Sequence, residues 1–198
     1  MARERLYEGD SMLEYEKKII LTCEEYAVIL ELFKNASFKT QINYYFDTED
    51  MLMNKKGITC RIRAKNGTYK ATVKNHFAKD KNCSCEVTVS ETRNVCTDVF
   101  DALGLFFQGE LVTSRTILFK NEFCEAVLDA NTYLGLTDYE IEVEYLKGHE
   151  KTAIEFLKRI AGCLLKANLI DSAENFLMRD GKSKSKSERF FEKKKLII

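Results

Sequence analysis

Carboxylates recur at every second position in Glu14-Tyr15-Glu16 and again in Glu140-Ile141-Glu142-Val143-Glu144, and arginines do so in Arg61-Ile62-Arg63. Clustered carboxylate oxygens suit hard divalent ions such as Mg²⁺ or Mn²⁺. Arginine grips phosphate oxygens through a bidentate fork, and lysine does so as a point charge. The spacing of two matters because side chains alternate across a β-strand, so positions i, i+2 and i+4 share a face. Glu14, Glu16 and Lys18 then point one way, and Tyr15, Lys17 and Ile19 the other. Arg61, Arg63 and Lys65 oppose Ile62 and Ala64, while Lys70, Thr72 and Lys74 oppose Tyr69, Ala71 and Val73. Glu86 and Thr88 oppose Cys85 and Val87, Arg115 stands on a later strand, and Asp129 shares a face with Glu125.

An antiparallel sheet with one face in water produces the same alternation. The sorting of charge argues for something else. Solvated faces mix signs with Ser, Thr, Asn and Gln, whereas here whole strands carry only acids or only bases. Neighbouring glutamates on one face repel by a few tenths to about 1 kcal/mol per pair unless a cation sits among them. If the strands close into a barrel, an interior of this kind cannot be a dry core, because unpaired buried charge costs several kcal/mol per ion. It must hold water and a charged ligand, and carboxylates facing cations describe a metal–polyphosphate site.

Eight alternating segments are predicted as strands, at about 13–21, 41–47, 58–65, 68–75, 84–90, 111–120, 123–130 and 139–146. Lys55-Lys56-Gly57, Asn66-Gly67 and Leu134-Gly135 read as hairpin turns, which makes neighbouring strands antiparallel. Thr22 and Glu25 have capping-box spacing and start a helix. A second helix is predicted over about 93–103, ending at Gly104, and a third over about 149–167 with its apolar stripe on the sheet's outer surface. From Gly181 the tail alternates lysine with serine and reads as either a charged end or a short basic helix over 181–198.

The whole composition fits one domain: 198 residues, 45% of them hydrophobic. Lysine plus arginine equals aspartate plus glutamate at 31 each, so no global field draws nucleic acid or an anionic membrane. Seven cysteines without a Cys-x-x-Cys pair, beside two histidines, indicate neither a disulfide framework nor zinc, and fit a cytoplasmic protein. The charged Met-Ala-Arg-Glu-Arg start, with no long apolar run anywhere, predicts a soluble chain.

Taken in order, Glu14-Tyr15-Glu16-Lys17-Lys18, Ile42 to Thr48, Arg61-Ile62-Arg63, Thr72-Val73-Lys74, Leu128-Asp129 and Tyr139-Glu140-Ile141-Glu142 resemble the successive motifs of the CYTH superfamily, the triphosphate tunnel metalloenzymes. The resemblance spans about 12–146 and extends to the tail Lys184-Ser185-Lys186-Ser187-Glu188-Arg189-Phe190. It implies an α+β fold: a closed eight-stranded antiparallel β-barrel, the triphosphate tunnel, with helices packed outside. It also implies metal-dependent hydrolysis of tripolyphosphate or a related triphosphate. Glu14, Glu16, Asp129, Glu140 and Glu142 would ligate Mg²⁺ or Mn²⁺, with Glu14, Glu16 and Asp129 serving catalysis. Lys18, Arg61, Arg63, Lys70, Lys74, Arg115 and the tail's Lys184 would bind substrate, and Glu86 would line the tunnel. Glu144 extends the acidic row or sits in solvent at the mouth. One departure stands out: Thr113 occupies a place where many members carry a second basic residue before Arg115. The partner implied is a small triphosphate, with neither nucleic acid nor membrane, and a homodimer is one assembly left open. Cyclisation of ATP, hydrolysis of thiamine or nucleoside triphosphates, and non-catalytic polyphosphate binding are the alternatives.

Overall fold

The computed structural model describes residues 7–8, 11–76 and 83–197; the charged start Met1 to Arg5 lies outside them. The strands are β1 (Tyr7–Glu8), β2 (Ser11–Leu21), β3 (Phe38–Asp47), β4 (Ile58–Lys65), β5 (Thr68–His76), β6 (Cys83–Thr92), β7 (Phe106–Lys120), β8 (Cys124–Tyr133) and β9 (Leu136–Tyr145). The helices are α1 (Cys23–Leu32), α2 (Leu52–Lys55), α3 (Asp98–Asp101), α4 (Glu150–Lys166), α5 (Ala173–Leu177) and α6 (Lys186–Lys195). All strand pairings are antiparallel in the order β1-β2-β6-β5-β4-β3-β7-β8-β9, and β2 pairs with β9 to close β2 to β9 into an eight-stranded barrel. β1 is a short addition at the start of β2.

The core lies largely outside this barrel. Ile19, Leu128, Ile141 and Val143, from the outer faces of β2, β8 and β9, pack against Ala153, Leu157, Ile160 and Leu164 of α4, with Ile29 of α1 and Phe176 of α5. A second outer cluster joins Phe46, Cys60, Ile62 and Ala71 to Phe100 of α3. With apolar residues turned outward against helices, alternation turns the polar residues inward.

Asn66-Gly67 and Leu134-Gly135 both have positive φ and form two-residue hairpin turns, as their sequences predict. Lys55-Lys56-Gly57 is not such a turn. It closes α2, a single helical turn whose start is held by Asp47: its carboxylate accepts from the backbone nitrogens of Met53 (2.8 Å) and Asn54 (2.9 Å). The helix expected over 93–103 shrinks to α3. Asn94, Val95, Cys96 and Thr97 are weak helix formers, and only Phe100 in this helix is buried.

The tail is a helix. Ser185 caps α6 in a reciprocal box with Glu188. Phe190 and Phe191 are buried among Tyr45, Leu111 and Tyr133, which seats α6 across one end of the barrel, while α4 packs on the outer wall. Gly109 allows this seating, because a Cβ there would meet the Phe190 ring at 2.8 Å.

Candidate active site

The lumen holds a cavity of about 520 Å³, counting its open mouth. Glu14, Glu16 and Lys18 of β2, Arg61 and Arg63 of β4, Lys74 of β5, Arg115 of β7 and Glu142 of β9 border it, as strand parity predicts. Asp129 and Glu140 lie beside it, fully buried. Lys70 is half-buried and Lys184 exposed, and neither borders the cavity. Lys184 pairs instead with Glu192 at 2.6 Å on the outside of α6.

β2 and β9 bring the two acidic rows side by side, with Glu16 opposite Glu144 and Lys18 opposite Glu142. The Lys18 ammonium is 2.8 Å from Glu16 and 3.6 Å from Glu142. Burial alone would raise the Glu16 carboxyl, but Lys18 and Lys74 outweigh it and hold the group down at about 2. Glu142 is likewise kept ionised against burial by Lys186, Lys18 and Arg115. Glu144 is the contrasting case. It has no ion pair among the described residues, and burial followed by the charge of Glu14 raises its carboxyl.

The cations are mostly spoken for. Arg115 forks onto Asp129 at 2.8 and 2.6 Å and also reaches Glu142 at 2.8 Å. Arg61 pairs with Glu86, and Lys74 with Glu14 at 2.9 Å. Glu86 sits at about 2, since Arg61, Arg63 and Lys74 overcome its burial. Arg63 makes no ion pair among the described residues; its Nε donates to the Asn43 side-chain oxygen at 2.9 Å. Burial and the neighbouring charges of Arg61 and Arg115 pull it down to about 10.

Asp129, Glu140 and Glu142 present oxygens within 4.8 Å of one another, a grouping able to hold a metal ion. The Lys186 ammonium contacts all three, at 2.9 Å from Asp129 and from Glu142 and closely at Glu140. Arg189 adds a second cation to Glu140 at 2.9 Å. Thr113 takes part as a neutral link: it donates to Asn131, which donates to Glu140.

Glu144, which the sequence leaves between lumen and solvent, borders the cavity, and so do Lys186, Gln41 and Thr59, which alternation and motif do not single out; Asn43 is buried on the same face of β3 as Gln41. The Ser185-x-x-Glu188 spacing is a helix-start signal that would have set Lys186, at the first position of α6, ahead of Lys184.

The CYTH domain family model matches residues 12–168. A Bacillus subtilis (strain 168) protein named as a candidate triphosphatase, YjbK, is 28% identical over 94% of this chain and 98% of its own length. A Bacillus halodurans crystal structure described as a candidate adenylate cyclase superposes with a TM-score of 0.65 at 24% identity, covering 92% of this chain and all of that one. The Hippeastrum protein HpAC1, described as a candidate adenylyl cyclase with a dominant triphosphatase activity, does so with a TM-score of 0.50 at 13% identity, over 82% of this chain and 98% of its own. With a barrel whose polar residues face inward, two acidic rows joined at its closure and a family match over most of its length, this chain belongs to the CYTH domain family.

Proposed function

We propose that this protein is a divalent-metal-dependent triphosphatase that hydrolyses tripolyphosphate or a related small triphosphate in its lumen. One observation carries this reading: the same cavity holds a carboxylate, Glu144, and a guanidinium, Arg63, neither of which forms an ion pair among the described residues. A metal-bound polyphosphate satisfies both. Acids alone would call for a metal and bases alone for an anion, so the combination points to the pair bound together.

The donor set fits the ion. Glu14, Glu16, Glu142 and Glu144 offer the all-oxygen environment that Mg²⁺ or Mn²⁺ prefers, at the cavity wall, and Asp129 and Glu140 form the adjoining group now neutralised by Lys186. The chemistry a bound ion supplies is neutralisation of phosphate oxygens and a lower pKa for a nearby water. Arg63 and Arg61, on the facing strand β4, grip the phosphate chain, and Lys74 and Lys18 add positive charge along it. Arg115, pinned by Asp129 and Glu142, presents a fixed cation where charge develops on a phosphoryl group in the transition state. The carboxylates accept the proton that the attacking water releases.

The test is a phosphate-release panel over tripolyphosphate, ATP, GTP and thiamine triphosphate, each with Mg²⁺, Mn²⁺ and Ca²⁺, with cyclic AMP measured alongside. Phosphate release that depends on Mg²⁺ or Mn²⁺ and is lost in Glu16→Gln is the expected result. Cyclic AMP as the main product would make the protein a cyclase, and tight binding without any product would make it a polyphosphate-binding module. Turnover at the wild-type rate in Glu16→Gln would overturn the metal assignment.

A further inference from the structure

Gln41 and Asn43 stand two residues apart on β3, so both face the lumen; they are 2% and 0% exposed. The Gln41 side-chain carbonyl and the Asn43 side-chain NH₂ have no hydrogen-bond partner, and the only other such buried side-chain atom among the described residues is the Tyr45 hydroxyl. Buried polar atoms find partners in about nine cases of ten or more. Three exceptions stand at alternate positions of a single strand, and of them Gln41 borders the cavity, where a ligand can meet the unused hydrogen-bonding capacity.

The neighbours show what that ligand is. Asn43 lies opposite Arg63 in the β3–β4 register, and its oxygen accepts from the Arg63 Nε, which fixes the plane of the guanidinium; its two terminal nitrogens have no hydrogen-bond partner among the described residues. Among the described residues that bond is the Asn43 side chain's one link. Every other cation bordering the cavity already has a carboxylate: Lys18, Arg61, Lys74, Arg115 and Lys186. An amide holds Arg63 without neutralising it, where an aspartate would cancel its charge. Gln41 borders the cavity and lies opposite Thr113 in the β3–β7 register, so at that level both strands present neutral side chains. An amide with unmet hydrogen-bonding capacity on the cavity wall suits a polyphosphate, whose ionised oxygens accept from the amide NH₂ group without any charge being cancelled.

We propose that Gln41 and Asn43 determine how the lumen engages polyphosphate: Asn43 is a positioning residue that keeps Arg63 oriented without neutralising it, and Gln41 bonds the terminal phosphate directly. This deepens the triphosphatase reading and rests on it.

The experiment measures KM and kcat for the best substrate of the panel in Asn43→Asp and Gln41→Leu, together with calorimetric binding of tripolyphosphate to metal-free protein in EDTA. Asn43→Asp gives Arg63 a carboxylate, so KM and the dissociation constant should rise tenfold or more while kcat stays within threefold. Gln41→Leu should raise both at least fivefold for tripolyphosphate. A purely structural role would lower the melting temperature without this split between KM and kcat. If Asn43→Asp does not fold, Asn43→Ala takes its place, with a KM rise of at least fivefold expected from loss of the Arg63 bond. Wild-type-like KM and binding, within twofold in both positions' variants, would overturn the inference while leaving the triphosphatase reading in place. A wild-type protein that neither binds nor cleaves polyphosphate would overturn both.

Discussion

The Lys186 ammonium lies 2.9 Å from the Asp129 carboxylate, so a cation carried on the last helix stands among acids carried on β8 and β9. Asp129 and Glu140 are fully buried, and each would be left with less positive charge if that ammonium were removed. Breaking a buried ion pair from one side typically costs about 3–5 kcal/mol. Lys186→Met should lose stability of that order in urea unfolding at neutral pH. Mn²⁺ should recover part of the loss, and should stabilise the variant more than the wild type, because the emptied trio has its oxygens within 4.8 Å. Equal metal effects on the two proteins would show that Lys186 and a divalent ion do not share this place.

Glu144 is the reverse case, a carboxylate crowded by Glu14, Glu142 and Glu16, eased only in part by the charge of Arg115 and without an ion pair among the described residues. Replacing it with glutamine removes repulsion and should stabilise the metal-free protein by about 0.5–2 kcal/mol, at the expense of function. The same Glu144→Gln change should weaken Mn²⁺ binding tenfold or more, read by calorimetry. A variant less stable than wild type in EDTA would show that Glu144 has a neutralising partner after all.

Arg61 and Arg63 are adjacent on one face yet differ in their partners, so their substitutions should separate. Arg61→Met leaves Glu86 buried and unpaired and should cost about 3–5 kcal/mol in a denaturant melt. Arg63→Met breaks no ion pair and relieves repulsion with Arg61 and Arg115, but it leaves the buried Asn43 oxygen without its donor, so its stability should fall by about 1–3 kcal/mol, less than for Arg61→Met. Its tripolyphosphate affinity should nonetheless drop at least tenfold. Equal stability losses in the two variants would mean that Arg63 has structural partners like those of Arg61.

Acid should act in two stages. Glu16 and Glu86 sit at about 2 in the folded protein against an ordinary 4.5, so the unfolded chain binds their protons first. Their contribution is complete above about 4.5 and is lost as pH falls toward 2. Glu144, raised by burial, has the opposite sign: its destabilisation appears as pH rises through its folded pKa. Urea midpoints should therefore rise slightly on mild acidification and then fall steeply between about pH 4.5 and 2, with the initial rise missing in Glu144→Gln. A midpoint level down to pH 2.5 would count against the ion pairs of Glu16 and Glu86.

How far the sequence could be read depended on whether a feature was local. Alternation in Glu14-Tyr15-Glu16-Lys17-Lys18 and in Arg61-Ile62-Arg63 assigns faces without knowledge of the rest of the chain, and those residues border the cavity as expected. Parity also turned Lys70 to the inner face, but a position along the lumen depends on barrel register, and Lys70 falls beyond the cavity wall. Glu144 needed the pairing with Glu16, which exists only once β2 meets β9. A lysine–serine repeat has no strand parity by which to choose between Lys184 and Lys186, and the Ser185 cap decides which lysine enters. Asp47, holding α2 from six and seven residues away, lies beyond the reach of a local turn motif.

The β2–β9 pairing joins segments more than a hundred residues apart and is the contact that turns an open sheet into a barrel. The acidic rows that face each other across it are therefore assembled by chain closure, and an open-sheet intermediate would carry two separate half-sites. An ion bridging Glu16 and Glu144 would act as a fastener on that seam, favouring closed molecules over open ones by mass action. Long-range strand pairing of this kind is slow to form, so the availability of divalent ions would govern the yield of refolded protein as well as any reaction inside it.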